Sequence, residues 1–131
     1  MDDFLCTLNK ENELLLTFQD ILENQRKAIL NNDVGILESS VKSISKITVE
    51  MVSVEKDKRR IQSENNININ DVRYLDAINY IKKNAMMVKF QNDTNEVLIR
   101  QKSVYLMNML KVVDPRFKYK TYNSKGKIDI L

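Results

Sequence analysis

Residues 3–31 read DFLCTLNKENELLLTFQDILENQRKAILN, and Leu8, Leu15, Leu22 and Ile29 recur in them every seventh position. Phe4 and Phe18 fall on the second row of the same heptad frame, and Leu14, Ile21 and Ala28 widen the stripe. A period near 3.6 with so wide an apolar face predicts an amphipathic helix packed in a bundle. Asp2 and Asp3 stand where an N-cap and a favourable dipole charge belong. Cys6 lies beside the stripe and reads as a small hydrophobe rather than a reactive thiol.

The pattern repeats downstream. Asn31-Asn32-Asp33 interrupts it and caps a second segment over 34–64, framed by Val34, Leu37, Val41, Ile44 and Met51 and widened by Ile47, Val54 and Ile61. So short a connection makes the two helices antiparallel. Residues 65–70 read as a loop, with Ile67 and Ile69 turned back toward the bundle. Asn70-Asp71 opens a third segment in which Ile78, Ala85, Ile99, Leu106 and Val113 share one heptad row and Ile81, Val88 and Met109 another. Asn92, Asn95 and Lys102 interrupt these rows. A helix from 71 to 111 would be about 60 Å long and overhang the other two, at about 45 Å each. The expectation is therefore a short helix near 71–81 and then a long one, broken around Lys82-Lys83-Asn84. Asp114-Pro115 ends it, because the residue before proline resists helical geometry.

The fold class that follows is all-α: an elongated antiparallel bundle of three main helices over 1–113, then a mobile basic tail over 114–131. Leu8, Leu15, Leu22, Val41, Ile44, Ile81, Val88 and Ile99 are expected in one core. The chain has 131 residues, two glycines and one proline, too little turn punctuation for an all-β fold. It has one cysteine, no histidine and no tryptophan, which excludes disulfide frameworks, Cys/His zinc sites and imidazole-based triads. No apolar run spans a membrane, and the acidic start is unlike a signal peptide, so a cytoplasmic protein is expected.

Ser39-Ser40-Val41-Lys42 has the Ser-x-x-Lys spacing of some nucleophilic sites, but the companion elements are missing and it reads as a polar helix surface. No phosphate loop, dinucleotide fingerprint or calcium loop is present. The expectation is no enzyme, no metal and no cofactor. Residues 1–110 hold 15 Lys and Arg against 16 Asp and Glu, whereas residues 111–131 hold six against two. The net charge of +3 thus resides in the tail. A nucleic-acid binder needs a basic face on its folded part, and Lys58-Arg59-Arg60 alone reads as a solvated helix end.

Residues 97–113 stand apart, with 11 apolar residues in 17. Their arc of roughly 160° exceeds the ~100° stripe that a core requires. Two bundle neighbours could absorb the excess, or part of it waits for a helix of another chain. A self-associating coiled-coil adaptor, including a homodimer, would use the same excess on a copy of itself.

The run Asn95-Glu96-Val97-Leu98-Ile99-Arg100-Gln101, followed by an aromatic-and-leucine helix end, resembles the Asn-x-x-Leu-Ile signature of FlgN-type flagellar export chaperones. Thr121-Tyr122-Asn123-Ser124-Lys125-Gly126 resembles the Thr-Tyr-Gly-x-x-Gly element of their tails, with Asn123 in place of the first glycine. The resemblance implies a cytoplasmic chaperone of type III export. Such a protein binds the C-terminal helices of hook-associated (hook–filament junction) proteins, prevents premature assembly and delivers them to the export gate. It implies that Leu98, Ile99, Tyr105, Leu106 and Leu110 belong to the client-binding helix, to which the apolar excess adds Met109 and Val113. Phe117 and Tyr119 would close over the client, and Tyr122 would dock on the cytoplasmic domain of the export gate. Neither nucleic acid nor membrane insertion is implied.

Overall fold

The computed structural model describes residues 2–113, 120–122 and 128–130. Three helices, α1 (Asp3–Leu30), α2 (Val34–Glu64) and α3 (Val72–Val113), run up, down and up. The architecture is an all-α bundle. Two short strands, β1 (Lys120–Tyr122) and β2 (Ile128–Ile130), pair antiparallel with Thr121 opposite Asp129, and β1 returns beside α3. That pairing was not anticipated from the sequence.

The starts of α1 and α2 have a local cause. Asp2 accepts the Leu5 N–H at 3.0 Å, and Asp33 accepts the Ile36 N–H at 3.1 Å. The carboxylates satisfy amide donors that the first turn leaves free. Asn32 (φ 56°) and Asn66 (φ 48°) take the left-handed conformation that ends α1 and α2, which asparagine adopts more readily than other side chains. Past the second of these, Ile67 packs onto the core while Ile69 remains exposed.

α1 is the central helix. Leu8, Leu15, Leu22 and Ile29 are all buried, and Leu22 is wholly so. Full burial of such a side chain is worth about 1.5–3 kcal/mol. The α2 and α3 backbones both pack closely on α1 and nowhere approach each other as closely among the described residues. At the end where α1 starts, Phe4, Leu8 and Tyr74 form a cluster joined by Ile61, Ile67, Ile78 and Ile81. The Phe4 and Tyr74 rings meet edge to face at 4.8 Å, and the Arg73 guanidinium lies 5.1 Å from the Tyr74 ring centre. The Leu5 N–H and the Tyr74 hydroxyl (2.7 Å) both donate to Asp2, holding its carboxyl below the ordinary range. The same bond raises the Tyr74 phenol above its own.

Two expectations are corrected. Val41 is exposed, as is Val34, because the seam of α2 runs through Leu37, Ser40, Ile44, Ile47, Met51, Val54, Lys58 and Ile61. That row alternates steps of three and four to the helix end and includes a serine, which a search for apolar residues passes over. Ile44, Ile81, Val88 and Ile99 are half-buried, beside the fully buried leucines of α1. Second, α3 is one unbroken helix of 42 residues, with no separate helix over 71–81. Lys82-Lys83-Asn84 contains no helix breaker. Asn84 instead faces inward, donating to Asn12 Oδ1 and accepting from Gln19 Nε2, both at 3.2 Å.

Candidate partner-binding surface

α3 runs parallel to α1 at a constant offset. Tyr74 bonds Asp2, Asn84 bonds Asn12, Gln91 bonds Gln19 and Lys102 bonds Leu30, each pair 72 residues apart. Lys102 Nζ thus sits on the last carbonyl of α1, where a cation suits the helix dipole. Residues 103–113 continue for about 16 Å beyond that level, past the last turn of α1 and the first of α2.

Asn95, in the Asn-x-x-Leu-Ile run, is a tie rather than a surface group. Its amide donates to the Leu22 carbonyl and to Gln25 Oε1, both at 2.9 Å, and Gln25 Nε2 donates to Ser40 Oγ at 3.0 Å. One buried chain of amides thereby links all three helices. In the sequence Asn95 and Lys102 read as interruptions, because their partners lie some 70 residues away.

The candidate client residues divide by level. Leu98 and Ile99 lie alongside the last turns of α1 and are half-buried. Tyr105, Leu106 and Met109 stand on the overhang and are exposed, while Leu110 is half-buried. At about 100° per residue, Leu106, Met109 and Leu110 continue the side of α3 that Asn95, Ile99 and Lys102 turn toward α1. The α3 seam outlasts its partner. Val113 is the last helical residue, and its side chain lies outside the described residues, as do Phe117 and Tyr119. For Tyr122 only the backbone, within β1, is described. The proposed mobility of 114–131 falls largely on residues outside that description.

A second apolar row was missed. Met86, Phe90, Val97 and Val104 are 72%, 67%, 49% and 48% exposed and lie on the outer side of α3, away from α1. The seven-residue steps from Phe90 to Val97 to Val104 were the available signal.

The basic run 58–60 is matched by carboxylates of α1 and α2. Lys58 reaches Glu11 at 3.0 Å and Glu55 at 2.9 Å, Arg59 pairs with Glu55, and Arg60 pairs with Glu64. Burial pulls the Lys58 ammonium pKa down, but the two carboxylates more than reverse it, leaving the pKa raised. This basic run is spent within the helix and on α1. Ser39 donates to the Ile36 carbonyl of its own helix, an ordinary surface role. No helix among the described residues is long and apolar enough to cross a membrane.

Comparison with curated proteins and with solved structures returns no match. The family model described as FlgN protein matches residues 1–129. The match takes in α1, α2, α3, the overhang and both motifs of the earlier resemblance. The chain therefore belongs to the FlgN family of flagellar export chaperones.

Proposed function

We propose that this chain holds the C-terminal helical segments of hook-associated flagellar proteins in the cytoplasm, keeps them from assembling early and passes them to the export gate. A subunit that polymerises through its terminal helices carries apolar faces that must stay covered before assembly. The observation that carries the reading is the overhang of α3, where the apolar side continues after α1 has ended. A client helix laid against Leu106, Met109 and Leu110 would take the position that α1 holds lower down, as in helix-in-groove recognition. Leu98 and Ile99 would meet its end at the junction, with Tyr105 and Val113 at the flanks. The tail then has two roles, with Phe117 and Tyr119 closing over the client and Tyr122 docking on the gate.

Titration of the purified chain with the C-terminal segment of a hook-associated protein tests this. Leu106→Asp and Met109→Asp should abolish binding while the helical dichroism stays intact. Both side chains are exposed, so each variant should cost no more than about 0.5 kcal/mol of stability. Tyr122→Ala should retain the client and weaken gate binding. Normal client binding by both aspartate variants, or their unfolding, would overturn the assignment.

A further inference from the structure

The outer side of α3 is apolar where a three-helix bundle needs it to be polar. Projected at about 100° per residue, Met86, Phe90, Val97 and Val104 fall within about 40° of one another, and all four are exposed. Charge is segregated onto the same helix. Residues 1–71 hold nine Lys and Arg against 13 Asp and Glu, whereas α3 holds seven against three. Two of those seven are engaged inward, Lys102 on the Leu30 carbonyl and Arg73 on the Asp2 and Asp71 carboxylates. The other five, Lys82, Lys83, Lys89, Arg100 and Lys111, are exposed and project within about 80° of the apolar row. Over the same stretch α3 has two acids, Asp93 and Glu96, held by Lys89 (3.0 Å) and Arg100 (3.9 Å). Lys82, Lys83 and Lys111 meet no carboxylate among the described residues.

The spacing decides what such a face fits. A seam between two helices needs apolar residues at alternating steps of three and four. Here Phe90, Val97 and Val104 recur in sevens, and Thr94, Gln101 and Asn108 stand at the alternate positions. A partner helix would therefore meet a polar group at every second contact. A lipid headgroup region imposes no such register. Apolar tips two turns apart dip toward the acyl boundary, polar groups between them stay among the headgroups, and Lys and Arg stems reach out to lipid phosphates. The cations also recur over about 44 Å of helix, from Lys82 to Lys111, which suits a laterally extended anionic surface better than a short acidic segment.

We infer that the outer face of α3 seats this chain on an anionic lipid surface. Met86, Phe90, Val97 and Val104 enter the headgroup region, and the five flanking cations pair with lipid phosphates. The helix lies along the surface without crossing it. Leu106, Met109 and Leu110 turn toward the opposite, α1 side, so lipid and client do not compete for the same residues. Four apolar side chains make a shallow anchor, and the contact is reversible and weakened by salt.

Flotation of the full chain with vesicles, without any client, tests this independently of the chaperone reading. At physiological salt the chain should float with vesicles of phosphatidylglycerol and phosphatidylethanolamine and stay behind with phosphatidylcholine alone. Phe90→Asp and Val97→Asp should each weaken binding at least tenfold. Both positions are exposed, so the helical dichroism of these variants should be unchanged. Each cation near an anionic surface is worth roughly fivefold, so Lys82→Glu combined with Lys83→Glu should also weaken binding more than tenfold. The chain has no tryptophan, and the emission of a Phe90→Trp variant should shift to the blue with anionic vesicles only. A chain that ignores anionic vesicles overturns the proposal. So does binding that survives both aspartate variants, because the basic residues beyond 113 would then carry it alone. A face that ignores lipid but captures an acidic amphipathic peptide through Phe90 overturns it as well.

Discussion

At Asn95 a single amide ties α3 to α1 and, through Gln25, to α2. Its Nδ2 serves both the Leu22 carbonyl and Gln25 Oε1, and Gln25 passes the connection to Ser40 on α2. Asn95→Ala would leave Gln25 Oε1 buried without a donor. The expected cost is about 1–3 kcal/mol, read as a lower midpoint in thermal or urea unfolding. Gln25→Ala breaks the same contact from the other side. The double variant should therefore lose less than the two singles together, by at least about 0.5 kcal/mol. Strict additivity would mean that the two amides act separately. This tie was hidden in the sequence for a physical reason. An asparagine in an apolar row signals a defect unless its hydrogen-bond partner is known, and that partner lies on another helix. The leucines of α1 needed no such knowledge, because Leu8, Leu15 and Leu22 announce burial by composition and period alone.

Between α1 and α3 the seam alternates leucines with amides, Leu8, Leu15 and Leu22 against Asn12, Gln19 and Gln25. Buried amides set register, since sliding α3 by one turn would place Asn84 against apolar side chains instead of Asn12 and Gln19. One member of the seam is poorly served. Gln91 donates to the Gln19 carbonyl over a long 3.4 Å, and its Oε1 is buried without a partner. Gln91→Leu removes that acceptor and keeps the volume, so stability should rise by about 1 kcal/mol. A loss of that size would show that the Gln19 contact matters more than its length suggests. The ends of α1 and α2 were legible because they depend on local chemistry: Asp2 and Asp33 as caps, and the polar runs 31–33 and 65–70 as interruptions. The expected break in α3 failed because length alone argued for it. The seam of α2 was read correctly at Leu37, Ile44, Ile47, Met51, Val54 and Ile61 but took Val41 in place of Ser40, which belongs to it through Gln25 and not through its own hydropathy.

Taken as a whole, the molecule is graded along its axis. The end holding Phe4, Leu8 and Tyr74 is apolar, aromatic and fastened by Asp2, with Ile61 and Ile67 closing it. The middle is held by leucines on α1 and by amides between helices. Beyond Leu30 the third helix continues without either companion. Hydrogen exchange reads this gradient directly, because amides exchange through the cheapest opening available to them. Amides of α3 near Ile78 and Ile81 should exchange only on global unfolding, whereas those in 103–113 should exchange faster by orders of magnitude. Intermediate protection is expected across 84–99, where opening breaks hydrogen bonds but exposes less apolar surface. The order of the rates is the prediction: the aromatic end slowest, the overhang fastest. Adding a client segment should slow exchange in the overhang most, since there the seam of α3 continues after α1 has ended. Uniform protection along the whole of α3 would mean that it opens as one unit. The overhang would then be as well supported as the core, and the uncovered seam, on which the client assignment depends, would lose its physical basis.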